Sequence, residues 1–484
     1  MIGNRGLLRV ARALGRAGAA AIVAAMVAGA VASGCSPRQY VPPVPRLPQG
    51  PLSIETAVEL ALENNPDVAG ARERVVAARA AIDETSSNYW PVLRFVERFT
   101  RSDVPSQSFG AILDQGRFSN GTDFNDPPVT ANFRGGLAGS ITLYDAGRRR
   151  ARVEAARARA ESSAAEAESV RRDIALEVAR GFFLVHKASE TATTQQSSLE
   201  TLSEHLRIVE ARRVEGAATR SDVLAVRVRV AETREAAIVA SNSTERARSA
   251  LKVLLGLGVL QPLELSPPDA APAVALETLE RSIESSTANR SELVGAASDV
   301  RAARARLEEV WAGYFPEVTL FGGFGFDDRE PIFSQSNWAW GAELVQDAFD
   351  AVRTPIRVRR AYADLRAAYA VARGVLLEVE LDVSNALLDA READARRVVA
   401  TEAAELAAES LRLVEAEYAA GTADVTRLLD AELALTQART RLSAASHDRT
   451  LSRIALAHAI GTYPTPPAER GRERGGPDAG ATGP

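Results

Sequence analysis

The sequence predicts a mainly α chain with a small β part, built as two tandem repeats, each a β-hairpin plus very long helices. Three observations carry this. First, the chain says nearly the same thing twice: Asn88-Tyr89-Trp90-Pro91-Val92 is answered by Gly313-Tyr314-Phe315-Pro316-Glu317, an offset of 225 residues. Tyr144-Asp145-Ala146-Gly147-Arg148 is answered by Phe349-Asp350-Ala351-Val352-Arg353, and Gly216 and Gly256 by Gly421 and Gly461, all at an offset of 205. A period this long marks a two-copy architecture. Second, from Arg148 to Val214 the chain holds no proline and only one glycine, Gly181. Third, the apolar period switches to two after Pro91 and again after Pro316, which marks strands.

At the start, Arg5, Arg9, Arg12 and Arg16 precede an apolar run from Ala19 to Val31, then Ala32-Ser33-Gly34-Cys35. The run is short for a membrane span and has the flanks of a secretory signal. Residues 1–34 are therefore expected to be a signal peptide. Cys35 is the chain's sole cysteine, and small residues before it resemble a lipobox, so Cys35 is expected to be acylated. Residues 35–51 are proline-rich and read as an extended strap.

Helical patterning starts at Ser53, a suitable N-cap with Thr56 and Glu59 behind it. It continues past a turn at Asn64-Asn65-Pro66 to about Ser87. The first repeat is set at residues 52–258, with strands near 92–102 and 130–144. The second is set at 275–463, with strands near 317–327 and 336–346. In the first, Phe133, Leu137, Ile141 and Leu143 alternate with Arg134, Ala138, Ser140 and Thr142. In the second, Val318, Leu320, Phe324 and Phe326 share a face, as do Trp338, Trp340, Ala342 and Leu344. The first copy's 20 extra residues fall between Pro91 and Tyr144, in a Ser-, Asn-, Gly-, Asp- and Pro-rich loop. Loops absorb insertions best.

A helix over Arg148 to Val214 would be about 100 Å long at ~1.5 Å per residue. It should turn at Gly216 to Thr219 and return to about Leu255. The second copy repeats this from Ile356 to about Ala420, turns at Gly421-Thr422 and returns to Ile460. Residues 464–484 read as a disordered tail.

The formal net charge of −5 over 484 residues argues against a nucleic-acid partner, which would show a basic stripe. His186, His205, His447 and His458 show no i, i+4 ligand spacing, so they read as packed or solvated, with no metal site expected. Gly322-Gly323-Phe324-Gly325 lacks the helix opening and the Lys-Ser/Thr of a phosphate loop. Arg148, Arg149, Arg150 and Arg152 read as solvated charge at a helix start. With no nucleophile–base or paired-acid constellation visible, neither catalysis nor a cofactor is expected.

Four strands leave two open edges, and unpaired backbone groups in hydrocarbon cost several kcal/mol each. Membrane closure therefore needs several chains. Two chains would give eight strands and a filled barrel. Three would give twelve and the beginnings of a lumen.

The motifs Leu52-Ser53-Ile54-Glu55-Thr56-Ala57 with Asn65-Pro66-Asp67, the Tyr-x-Pro before each first strand, Leu143-Tyr144-Asp145-Ala146-Gly147-Arg148, Tyr418-Ala-Ala-Gly421 and Leu428-Leu429-Asp430-Ala431-Glu432 occur in order and in duplicate. Together they resemble the TolC-like outer membrane factors, and Cys35 with the strap is similar to their lipoprotein branch. The resemblance implies a homotrimer: a twelve-stranded outer-membrane barrel continuous with a periplasmic α-barrel, touching outer-membrane lipid. Ser36 stands where an aspartate would signal inner-membrane retention, so the family rule sends the chain to the outer membrane.

The resemblance further implies a passive exit duct for drugs or metals, joined to an inner-membrane pump through a periplasmic adaptor protein, and no enzyme. The alternatives are a type I protein-secretion duct and a structural periplasmic coiled-coil lipoprotein without a pore. It makes Gly216, Ala217, Ala218 and Thr219, with Gly421, Thr422 and Ala423, the adaptor-docking tips. It places a periplasmic gate at Asp424, Arg427 and Asp430. Arg427 stands where an aspartate is common and Ala423 where a basic residue is common. The expectation is a mixed-charge latch in which Arg427 bridges to Asp424 or Asp430, between or within protomers.

Overall fold

A computed structural model describes residues 50–268, 275–330, 335–350 and 352–463. The expected signal peptide, Cys35, nearly all of the strap and the tail at 464–484 lie outside the described residues. In chain order the elements are α1 (Ile54–Asn64), α2 (Pro66–Ser86), β1 (Val92–Ser102), α3 (Pro105–Asp114), β2 (Thr130–Tyr144), α4 (Arg148–Val214), α5 (Arg220–Leu254), α6 (Leu279–Asn289), α7 (Ser291–Trp311), β3 (Glu317–Asp328), β4 (Gln335–Val345), α8 (Arg353–Ala419) and α9 (Val425–Ala459). The described chain is thus mainly helical with one small sheet, as the sequence predicts. The two copies match in helix length: α1 and α6 have 11 residues each, α2 and α7 have 21, α4 and α8 have 67, and α5 and α9 have 35.

The chain divides into two compact units. The first takes Ile82–Glu154 and Ala305–Tyr362 and holds the sheet. Its four strands run antiparallel in the order β1-β2-β3-β4. The β2–β3 ladder, with Leu137 opposite Phe324 and Ile141 opposite Leu320, joins the two copies. Apolar side chains are exposed on both faces of the sheet: Leu93 (72%) and Trp340 (73%) on one, Val92 (48%) and Phe321 (46%) on the other.

The loop between β1 and β2, read from sequence as irregular, contains the helix α3. Pro105 sits in its first turn, where a missing N–H costs nothing. Ser108 and Ile112 are buried, and the Phe109 ring packs tilted against that of Phe124, centroids 4.5 Å apart. Arg134 of β2 ties α3 to the sheet, reaching Asp114 at 2.6 Å and Asp327 at 2.7 Å. Asp327 also accepts from Asn132 (2.7 Å) and Asn337 (3.0 Å). Serine, asparagine and glycine content alone gave no helix signal; the long-range pairing supplies one.

Each β-to-helix passage uses an aspartate. Asp145 accepts from the backbone N–H of Arg149 (2.9 Å) and Gly147 (3.2 Å), with Ala146 and Gly147 at φ 55° and 83°. Asp350 accepts from the N–H of Thr354 (2.7 Å), and Val352 takes φ 66°. A β-branched residue in that region is strained, so the departure from glycine in the second copy is tolerated because the aspartate cap holds it.

Among the described residues, the second unit takes 50–81, 155–268, 275–304 and 363–463. Ser53 caps α1 by accepting from the N–H of Thr56. Asn65 is buried; its side chain donates to Leu254 O (3.0 Å) and accepts from the N–H of Asp67 (2.8 Å), fixing the break before Pro66. Val58 and Leu62 of α1 join Val178 and Val185 of α4 and Leu251 of α5 in one cluster. Small residues let the long helices approach closely: Ala175, Ala179 and Ala390 are fully buried. Among the described residues no helix is long and apolar enough to cross a membrane.

The glycines that end α5 and α9 do the same job in both copies. Gly256 (φ 71°) and Gly461 (φ 78°) turn the chain left-handedly. A Cβ on Gly256 would meet Asn64 O at 2.6 Å, and one on Gly461 would meet Asn289 Cβ at 2.8 Å. Asn64 and Asn289 are themselves related by the offset of 225. Gly256→Ala or Gly461→Ala is expected to destabilise the protein by about 2–4 kcal/mol, the sum of left-handed strain and overpacking. A Cβ on Gly216 or Gly421 meets nothing within 4 Å, so alanine there should cost only the backbone part, about 1–2 kcal/mol. Thermal unfolding followed by helical circular dichroism checks this, and equal shifts at all four glycines would contradict it.

Between α8 and α9, Asp394 receives Arg449 Nε at 2.6 Å and also Arg453. Burial pushes the Asp394 carboxyl up, but hydrogen bonds and charge from the two arginines outweigh it and hold it below the usual carboxylate range. A lowered folded-state pKa means the stabilisation is full above the unfolded carboxylate value and is lost as pH falls through the folded one. Asp394→Asn is expected to cost about 1–2 kcal/mol at pH 7. The gap from wild type should shrink below about pH 4, and a gap independent of pH would contradict the pairing.

Candidate functional site

The two helical turns are built from ordinary capping chemistry. At the first, α4 closes with Gly216 N–H donating to Arg213 O (3.1 Å) and Ala217 N–H to Arg212 O (2.8 Å), with Gly216 at φ 77°. Thr219 and Asp222 then form a reciprocal capping box at the start of α5: Asp222 N–H to Thr219 Oγ1 (3.1 Å) and Thr219 N–H to Asp222 Oδ2 (2.8 Å). At the second, Gly421 N–H donates to Tyr418 O (3.1 Å) and Thr422 N–H to Glu417 O (2.9 Å), with Gly421 at φ 76°. Gly216, Ala217, Thr219, Gly421 and Thr422 are exposed, while Ala218 and Ala423 are half-buried. The turns therefore present small side chains to solvent.

The structure brings the two turns together. Arg212 donates to Tyr418 O at 3.2 Å, and its guanidinium lies 4.5 Å from the Tyr418 ring centroid. Beneath them Val209, Val223 and Val226 pack with Val425 and Leu429. The sequence reading missed Arg212; its one signal was a cation in the last turn of a long helix.

The expected Arg427–Asp latch does not form within the chain. Asp424 is the N-cap of α9, and its carboxylate accepts from the backbone N–H of Arg427 (2.8 Å). The Arg427 guanidinium instead pairs with Glu417, Nη1 to Oε2 at 3.0 Å. This corrects the expected Arg427–Asp pairing within one chain. Helical spacing puts Asp424 and Arg427 near one face, but the cap consumes the carboxylate on the orphan N–H groups of the first turn. Asp430 is exposed beyond them.

The offset of 205 shows why the copies differ here. It carries Thr219 onto Asp424, Asp222 onto Arg427 and Arg212 onto Glu417. In the first copy Asp222 turns inward to its cap and Arg212 reaches the other turn. In the second the charges are swapped, so Arg427 and Glu417 pair across α9 and α8. Such an exposed pair contributes about 0–1 kcal/mol, so this contact is easily broken.

The histidines also find partners that spacing within one helix could not show. His447 lies 3.0 Å from Glu190, His458 3.1 Å from Asp173 and His205 3.6 Å from Glu432. Burial, and then the charge of His447, push the His186 imidazole below its usual value.

Against known proteins, the profile of the family described as outer membrane efflux protein matches residues 57–257 and 282–462, one stretch in each copy. Outer membrane protein OprJ of Pseudomonas aeruginosa is 24% identical over 371 residues, covering 73% of this chain and 73% of its own length. The probable outer membrane lipoprotein SilC of Salmonella typhimurium is 22% identical over 294 residues, 58% of this chain and 57% of its own. The solved structure of the outer-membrane channel OprN superposes with a TM-score of 0.73 at 23% identity, over 89% of this chain and 98% of that one. With both repeats matched end to end, the chain belongs to the outer membrane efflux protein family.

Proposed function

We propose that this outer-membrane protein is the exit duct of a tripartite efflux system, passively conducting small molecules, drugs or metals, delivered by an inner-membrane pump through a periplasmic adaptor. The observation that carries the reading is the sheet: four antiparallel strands with apolar side chains exposed on both faces and two open edges. Such a sheet is compatible with lipid only when copies close it. Three copies give twelve strands, enough to leave a lumen. OprN, whose fold this chain shares, is an outer-membrane channel. The chain catalyses nothing in this reading; energy comes from the pump.

In the trimer the tips Gly216 to Thr219 and Gly421 to Ala423 meet the adaptor, which their small exposed side chains suit. Asp424, Arg427 and Asp430 each occur three times around the axis. Arg427, held by Glu417 within its chain, is then placed to exchange partners with a neighbour's Asp430 when the gate shuts. Acyl chains on Cys35 anchor the assembly, a role in keeping with the lipoprotein SilC among its relatives.

Purified full-length protein in planar bilayers tests this, with mass spectrometry of the mature N-terminal peptide reporting acylation. The expected result is a low resting conductance that Arg427→Ala raises several-fold. Ala217→Trp combined with Thr422→Trp should abolish drug or metal resistance in cells while the assembly persists. Absence of conductance from an intact oligomer, or an unacylated N-terminus, overturns the corresponding part.

A further inference from the structure

The two helical hairpins are quasi-equivalent, so a charge kept in one and reversed in the other carries information. In the first hairpin Glu210 of α4 pairs with Arg227 of α5 at 2.7 Å. The offset of 205 that relates Gly216 to Gly421 relates Glu210 to Glu415 of α8 and Arg227 to Glu432 of α9. The second hairpin therefore sets carboxylate against carboxylate where the first has an ion pair. Glu432 is only 6% exposed, and a buried carboxylate facing a like charge is unfavourable unless a cation joins it.

A third group reaches the same point from the other copy. His205 of α4 brings Nε2 to 3.6 Å from Glu432 Oε1. That nitrogen is shielded from solvent and makes no hydrogen bond. One ligand atom from each of His205, Glu415 and Glu432 lies within 4.8 Å of the other two. The arginines that flank these positions are engaged elsewhere: Arg207 with Glu204, Arg412 with Glu409 and Arg427 with Glu417. A cavity of about 270 Å³, lined by Glu432 with Gln195, Ser198 and Thr436, opens beside the cluster and gives a hydrated ion room to enter.

We propose that His205, Glu415 and Glu432 bind one divalent transition-metal ion of the zinc class, stapling α4 to α8 and α9. One imidazole and two carboxylates suit Zn²⁺ and its first-row neighbours, while the imidazole disfavours Mg²⁺ and Ca²⁺. A tetrahedron with bonds of ~2.0 Å has edges of about 3.3 Å, so the 3.6 Å separation of His205 and Glu432 needs little change. Glu415 is exposed and free to swing onto the ion. Three protein ligands leave the fourth position to water from the cavity. The sequence reading expects no metal because no two histidines share i, i+4 spacing; this site takes one ligand from each of three helices.

The staple lies near the turns, since His205 precedes Gly216 by 11 residues and Glu432 follows Gly421 by 11. It thus fastens the two hairpins to each other where Arg212 and Tyr418 also meet. On the exit-duct reading, a bound ion would resist any separation of the hairpins that opening requires. The binding claim itself rests on helix geometry and stands apart from that reading.

The test uses untagged full-length protein in detergent, stripped with chelator and dialysed against Zn²⁺. One Zn²⁺ per chain is expected, undisturbed by a hundredfold excess of Mg²⁺. His205→Ala should weaken binding at least tenfold. Glu432→Arg, which recreates the ion pair of the first hairpin, should abolish it while leaving helical content and melting unharmed. Co²⁺ substitution should give visible absorption that is absent in both variants. A wild type that takes up no Zn²⁺, or either variant that binds as the wild type does, overturns the proposal.

Discussion

Everything in this chain turns on the unpaired edges of one small sheet. Hydrogen bonding inside the described chain is satisfied strand to strand across β2 and β3, but the outer sides of β1 and β4 have no neighbour in the sheet order. Both faces expose apolar side chains too, Leu93 and Trp340 on one and Val92 and Phe321 on the other. A water-soluble protein would cover such a surface or blunt it with charge. Here Leu93, Phe95 and Phe99 stand exposed on the edge strand β1, and on the proposed reading other copies and lipid complete the sheet. The long helices also carry exposed apolar side chains in the single chain, among them Leu381 (59%), Leu388 (58%), Val398 (67%) and Leu406 (65%).

Duplication solves the geometry, and divergence then assigns different tasks. Matched helix lengths and the paired contacts of Gly256 with Asn64 and Gly461 with Asn289 keep the two copies in register. The charges near the turns are not kept. Arg212 becomes Glu417, Asp222 becomes Arg427 and Arg227 becomes Glu432. A surface charge is among the cheapest features to change, since an exposed pair contributes about 0–1 kcal/mol. The first turn is consequently closed by its own capping box. The second carries an arginine held only by an exposed ion pair, and a buried carboxylate that lacks the arginine of its counterpart.

How much was legible in the sequence follows from the range of the forces involved. The span of α4 was legible because helix breakers are absent between Arg148 and Val214, and Ser53 was legible as a cap because capping is local. The α3 helix was not, since its stability comes from Arg134 bridging Asp114 and Asp327, residues far apart in the chain. The within-chain partner of Arg427, Glu417, was not legible because helical spacing alone cannot show that Asp424 is already engaged with the backbone. The joining of the two turns through Arg212 and Tyr418, and the meeting of His205 with Glu415 and Glu432, depend on tertiary packing that no single stretch encodes.

The central claim is that the edges of β1 and β4 are closed by other copies of the chain. A photo-crosslinking phenylalanine analogue at Phe95, on the edge strand β1, addresses it in intact membranes. The account predicts covalent species of two and three chains and none larger, with the attachment mapping to β4, Gln335–Val345, of a neighbouring copy. Crosslinks confined to single chains, or a ladder that continues past three, would contradict it.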